Sequence, residues 1–173
     1  MRRGIFFLFF TSLISRAVEI GFFVQRDASG KIVYYEDGNP YSHVAIRVGN
    51  QWLEAVPYYG VHLTDHSQMG ELTDIMEDDS IPEPGVDFLN AVLGKKYFIF
   101  ADWDDPNTYH CGKLVAKYLG ISPEPIVLDH DIWGDRFDTY IGKPGLSPSQ
   151  LKDVLTDRDY ENRPQPSCLE RLK

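Results

Sequence analysis

Three residues of this chain, Cys111, His43 and Glu54, have the types needed for thiol chemistry. A thiolate attacks a carbonyl carbon, an imidazole accepts and returns a proton, and a carboxylate orients the imidazole and favours its charged form. Taken singly, each has a plainer explanation. A small Cys on an apolar helix face usually packs, a strand His usually has only a polar partner, and a strand Glu usually meets water. Their joint occurrence matches the scheme of nucleophile, base and orienter.

The segment Tyr41–Val56 must bring His43 to Glu54. Apolar residues alternate at Val44, Ile46 and Val48, and Gly49-Asn50 is a two-residue turn pair, so the pattern predicts a β-hairpin. With that pair as the loop, Val48 faces Gln51, Arg47 faces Trp52, Ala45 faces Glu54 and His43 faces Val56. Residues two apart share a face. His43 and Glu54 then become diagonal neighbours over Ala45, roughly 7 Å apart along the backbone and within side-chain reach. A slip of one residue would put them on opposite faces.

A second element must supply the thiol. Asp105 to Gly120 has the punctuation of a helix, with Asn107 or Thr108 as cap and Gly120 as stop. Cys111 falls in or near its first turn, where the positive end of the helix dipole favours a thiolate. Leu114, Val115 and Tyr118 share its face, so the thiol is expected to point inward. His110 projects about 100° away and reads as a rim residue.

Around these two elements the pattern predicts strands at 19–24, 32–35 and 61–64, and turns at Ser29-Gly30, Gly38-Asn39-Pro40 and Tyr59-Gly60. The acidic stretch from Asp74 to Glu83 reads as a solvated loop. A helix is expected from about Pro84 to Leu93, with Val86, Leu89, Val92 and Leu93 on one face. Ser147 is a candidate cap for a last helix. The fold class is therefore α+β, an antiparallel sheet packed against a Cys-bearing helix.

The N-terminus bears on compartment. Met1-Arg2-Arg3 is basic, Gly4 to Ser15 is an uncharged apolar run, and Ser15-Arg16-Ala17 ends in small residues. Residues 1–17 thus read as a signal peptide, and the apolar run is too short for a stable membrane span. Residues 18–156 form one domain, and 157–173 a polar, disordered tail containing Cys168. The expected site is periplasmic or secreted. The formal net charge is −9, from 17 basic and 26 acidic residues. Loss of residues 1–17 removes three arginines and no acid, giving about −12, which disfavours nucleic acid and anionic lipid. With two cysteines, a disulfide scaffold is not the source of stability.

Other groupings carry less. His62, Asp65 and His66 suggest metal ligation only at helical spacing, whereas Val61 and Leu63 give His62 a strand setting. Asp102, Asp104 and Asp105 resemble a calcium loop, but Pro106 occupies a ligand position and the later Gly and Glu are missing. Asp129, His130 and Asp131 read as a polar surface loop. Neither a cofactor nor a metal is called for.

The order of motifs resembles the circularly permuted NlpC-like papain-fold cysteine hydrolases, the YiiX-like group. Ser42-His43-Val44 resembles their His motif and Leu53-Glu54-Ala55 the acidic one. Leu93-Gly94-Lys95-Lys96-Tyr97 resembles the element before the helix, and Tyr109-His110-Cys111 the nucleophile. The resemblance spans about Glu19 to Leu151 and implies a papain-like domain with Cys111, His43 and Glu54 as its catalytic set. The family usually has Tyr-Cys-Ser-Glu-Leu where this chain has Tyr-His-Cys-Gly-Lys-Leu, and commonly an Asp where Phe98 stands.

Three function classes follow. The leading expectation is a thiol hydrolase or cysteine peptidase cutting an amide bond, in a cell-wall peptide or an acyl amide. The second is a thiol acyltransferase with the same residues and a non-water acceptor. The third is an inactive, ligand-binding descendant, which the departures around Cys111 favour.

Overall fold

The computed structural model describes residues 16–36 and 38–162. It is an α+β fold built on one five-stranded antiparallel sheet. The strands are β1 (Ala17–Val24), β2 (Tyr41–Val48), β3 (Gln51–Val56), β4 (Gly60–Thr64) and β5 (Glu71–Pro82), in the order β4-β3-β2-β1-β5. Next come α1 (Val86–Val92), the short parallel pair β6 (Lys96–Tyr97) and β7 (Thr108–Tyr109), and α2 (Cys111–Leu119). The chain closes with β8 (Glu124–Pro125), α3 (His130–Trp133), a 3-10 helix (Asp135–Tyr140), β9 (Pro144–Gly145) and α4 (Pro148–Asn162).

The hairpin register is the one the turn pair dictates. Val48 pairs with Gln51, Arg47 with Trp52 and Ile46 with Leu53. Gly49 takes a positive φ of 58° and Asn50 does not, the pattern of a type II′ turn. Alternation then sorts the side chains. Val44, Ile46, Leu53 and Ala55 join Val18, Ile20 and Phe22 of β1 in the main core, closed by Leu114 and Val115 of α2 and Leu151 and Leu155 of α4. Phe23, Ala45 and Trp52 form a smaller cluster, with Arg47 stacked on the Trp52 ring at 4.0 Å.

Several expectations are corrected. The acidic run is not a loop: β5 pairs along the whole of β1, from Ala17↔Pro82 to Val24↔Glu71. β1 supplies the apolar half of that pair, and β5 lies at a sheet edge where its acids reach water. Lys152 of α4 ties down Asp74 by an ion pair, and the Tyr118 hydroxyl donates to the Pro82 carbonyl. The strand expected at 32–35 is reduced to one bridge, Arg26↔Ile32. In α1 the buried residue is Val92, with Phe88 and Leu89 against the core; Val86 and Leu93 are exposed. Helix α4 continues to Asn162, into the stretch expected to be tail. Its start carries a reciprocal cap: Ser147 Oγ accepts from Gln150 N–H at 3.1 Å, and Gln150 Oε1 accepts from Ser147 N–H at 2.9 Å. The signal peptide and Cys168 lie outside the described residues, save for Arg16 and Ala17, the latter the first residue of β1. None of the described helices is long and apolar enough to cross a membrane.

Candidate functional site

The three expected residues come together. His43 and Glu54 are each 1 % exposed, and His43 Nε2 lies 2.9 Å from Glu54 Oε2. The recorded β2–β3 pairing ends at Ile46↔Leu53, so this side-chain contact continues the link between the strands where the ladder stops. The Phe23 ring packs against the His43 ring, centroids 5.5 Å apart, and fixes its plane. With Nε2 committed to Glu54, Nδ1 is the nitrogen left to face Cys111, and the two groups shift each other's affinity for protons.

Cys111 is the first residue of α2, one position past the N-cap. That cap is His110, not Asn107 or Thr108. Its side chain accepts the Lys113 N–H at Nδ1, 3.2 Å away. His110 is also buried and lines the same cleft as Cys111, so it is no rim residue. Asp105 does shape the approach, accepting from the Asn107 N–H at 2.9 Å and from the Thr108 hydroxyl at 2.7 Å. Gly120 ends the helix in the left-handed region, φ 65°, as its position predicts.

The two departures beside the thiol have structural reasons. A Cβ on Gly112 would stand 1.9 Å from the Leu146 carbonyl oxygen, so only glycine lets that backbone close over the start of α2. Lys113 is buried, and its ammonium donates to three backbone carbonyls, those of Asp102, Asp105 and Thr108, the last at 2.8 Å. Three carbonyls supply the charge-assisted bonds that a buried ammonium needs. They also bind the 102–108 loop to the helix that carries the nucleophile.

Electrostatics favours an ion pair. Burial opposes the Cys111 thiolate, but hydrogen bonds from His110 and His43, and the charge of His43, outweigh it and bring the thiol down to about 5. Burial likewise opposes the His43 imidazolium, yet Cys111 and Glu54 raise it to about 9. Glu54 is also penalised by burial, and His43 nevertheless holds it below its ordinary value. Between those two limits the pair is thiolate and imidazolium.

A fourth residue was not singled out as part of this site. β3 and β4 pair Glu54 with His62, and His62 Nε2 lies 3.4 Å from Glu54 Oε1. That buried oxygen has no hydrogen-bond partner among the described residues, and His62 is the nearest ionic one. His62 Nδ1 faces the Gly60 carbonyl at 3.3 Å, and its ring packs on Tyr59. The carboxylate therefore sits between two imidazoles. The signal available in the sequence is the second hairpin, whose register sets Glu54 against His62.

Cys111 and His110 open on a cleft of about 280 Å³. Its walls are chiefly apolar, including Tyr35, Phe100, Ile126, Leu128, Trp133 and Leu146. The indole of Trp133 donates to the Tyr35 carbonyl at 2.8 Å, and Phe100 stacks on Tyr140 at 4.3 Å, so that wall is braced. Glu36 also lines the cleft, and burial holds its carboxyl above the usual range. Elsewhere, His130 joins Asp135 and Asp138 rather than Asp129 and Asp131, on an exposed surface. The Asp129 side chain instead caps α3.

Comparison with protein-family models, curated proteins and solved structures finds no match. The functional reading therefore stands on the geometry and on the order of motifs.

Proposed function

We propose that the protein is a thiol hydrolase of permuted papain-like type, cleaving an amide bond with Cys111 as nucleophile, His43 as acid and base, and Glu54 as orienter. The observation that carries this reading is the buried His43–Glu54 pair set against a thiol at the start of a helix, with the thiol opening on a cleft. Cys111 Sγ attacks the carbonyl carbon, a C–S bond forms, and the carbonyl electron pair moves to oxygen. The tetrahedral centre collapses, the C–N bond breaks, and His43 gives its proton to the leaving amine. His43 then takes a proton from water, whose oxygen displaces the thiol from the thioester. Glu54 keeps Nε2 of His43 occupied, so that Nδ1 faces the reacting atoms throughout.

The apolar walls favour an acyl group over a strongly polar cell-wall peptide. They also keep the acyltransferase reading in view, since a dry cleft slows water relative to another acceptor. The expected envelope location adds that the substrate is met outside the cytoplasm. Incubation of the purified protein with N-acyl amino acids and with muropeptides, read by mass spectrometry, tests the proposal. Hydrolysed amide is the expected product, acyl transfer supports the second reading, and no reaction with either panel together with no acyl-enzyme would refute both.

A further inference from the structure

The proposed chemistry needs two donors for the developing oxyanion, and the structure points to one beyond the backbone. By helix geometry the opening N–H groups of α2 have no partner within the helix. His110 takes that of Lys113, and no hydrogen bond within the described residues uses that of Cys111. This leaves the Cys111 N–H as the first donor, as in any site where a nucleophile opens a helix.

The second donor follows from the tautomer of His110. An N–H donates to its Nδ1, so Nδ1 must carry a lone pair, and the neutral ring has its proton on Nε2. Protonating the ring would set an Nδ1–H against the Lys113 N–H. It would also place a cation at the positive end of the helix dipole. With Nδ1 accepting, Nε2 is the one N–H the ring has to offer. The ring is 8 % exposed and lines the cleft beside Cys111, and with Nδ1 taken, Nε2 is the ring nitrogen left to face the thiol.

We propose that His110 is a catalytic residue, a neutral imidazole whose Nε2–H completes the oxyanion hole with the Cys111 N–H. This inference rests on the hydrolase reading. Before attack the ring lies beside the thiolate and helps to hold it. As the C–S bond forms, negative charge passes from sulfur to the carbonyl oxygen, and the donor follows it. No proton leaves His110 at any stage; His43 carries the proton traffic. A donor aimed at charge that develops only in the transition state is worth about 10²- to 10³-fold in rate.

The discriminating variant is His110→Ser. Serine is a strong N-cap, so Oγ can still accept the Lys113 N–H, while the Nε2–H is lost without a change of charge. Two rates are compared at pH 8 in a Cys168→Ser background: alkylation of Cys111 by iodoacetamide, which forms no oxyanion, and acylation by p-nitrophenyl hexanoate, which does. Acylation should fall about 10²-fold or more, and alkylation by only a few-fold. Equal falls in both would assign His110 to the thiolate alone and overturn the inference; so would acylation within a few-fold of wild type. A wild type that is alkylated but never acylated would instead fail the hydrolase reading, and the inference with it. Nitrogen-15 spectra of the wild-type imidazoles, with His110 assigned by its loss in the variant, provide a test free of substrate. A neutral ring protonated at Nε2 at pH 7 is expected, and an Nδ1–H or an imidazolium would overturn the inference.

Discussion

The described residues contain two histidine–carboxylate groupings, and their difference teaches more than either alone. In the sheet, His43 and Glu54 are each 1 % exposed and 2.9 Å apart. On the surface, His130 lies 3.3 Å from Asp135 and 3.7 Å from Asp138, with side chains 55 %, 94 % and 48 % exposed. Both set an imidazole against carboxylate oxygen. Water competes for every contact of the second group, so its charges are screened and its geometry is loosely held. The first group has exchanged water for Phe23, Cys111 and each other. There proximity becomes a fixed orientation, and the imidazole's affinity for protons is raised.

Breaking the buried group should have the largest effect. Cys111→Ser and His43→Ala should each lower kcat/KM for a cleaved amide by about 10⁴-fold, measured with circular dichroism to verify the fold. Glu54→Gln removes the charge but keeps a group able to accept from Nε2. A smaller loss of about 10²-fold is expected, and the upper titration of His43 should fall from about 9, read by NMR. An unchanged titration would mean that Glu54 does not act on His43.

The pH dependence sharpens the same contrast. Cys111 is depressed, so the stability it contributes is present at high pH and lost as pH falls through about 5. His43 is raised, so its contribution is present at low pH and lost as pH rises through about 9. Cys111 alkylation should therefore rise near pH 5 rather than near the free-thiol value of about 8.5. Activity should be bell-shaped between the two limits.

The smaller effects test how far the buried group extends. His62→Leu leaves Glu54 Oε1 without its ionic neighbour, and a loss of activity of about 10-fold or less is expected, because Oε2 still holds His43. His130→Ala should change neither activity beyond about two-fold nor stability beyond about 0.5 kcal/mol, measured by urea unfolding. A large effect of His130→Ala would abolish the distinction between the two groupings.

Much of this site was legible before any coordinates. Alternation and a Gly-Asn turn fix one register, and one register suffices to join His43 to Glu54. The His62 contact needed the second hairpin, whose loop contains Tyr58 in the left-handed region at φ 70°, a conformation that an aromatic residue does not advertise. The cap of α2 was misplaced because Asn107 and Thr108 are better cap formers than His110, and tertiary burial decided against propensity. The strand β5 was hidden for a different reason. Strand patterns are read from apolar residues, and in this edge strand acids at five of the 12 positions interrupt them.

Those acids have a bearing on how the protein behaves in concentrated solution. One side of β5 is bonded to β1, and the other is the outer edge of the sheet. A second molecule could add a strand there. Glu71, Glu77 and Asp79 are exposed along that border, and Pro82 ends it without a donor. Two such borders brought together would oppose like charge to like charge, which is how native sheets keep their edges from zipping into fibrils. The protection is electrostatic and therefore conditional. In concentrated salt, which screens exposed charges, the same border becomes a template for assembly, and light scattering should rise even while the fold persists.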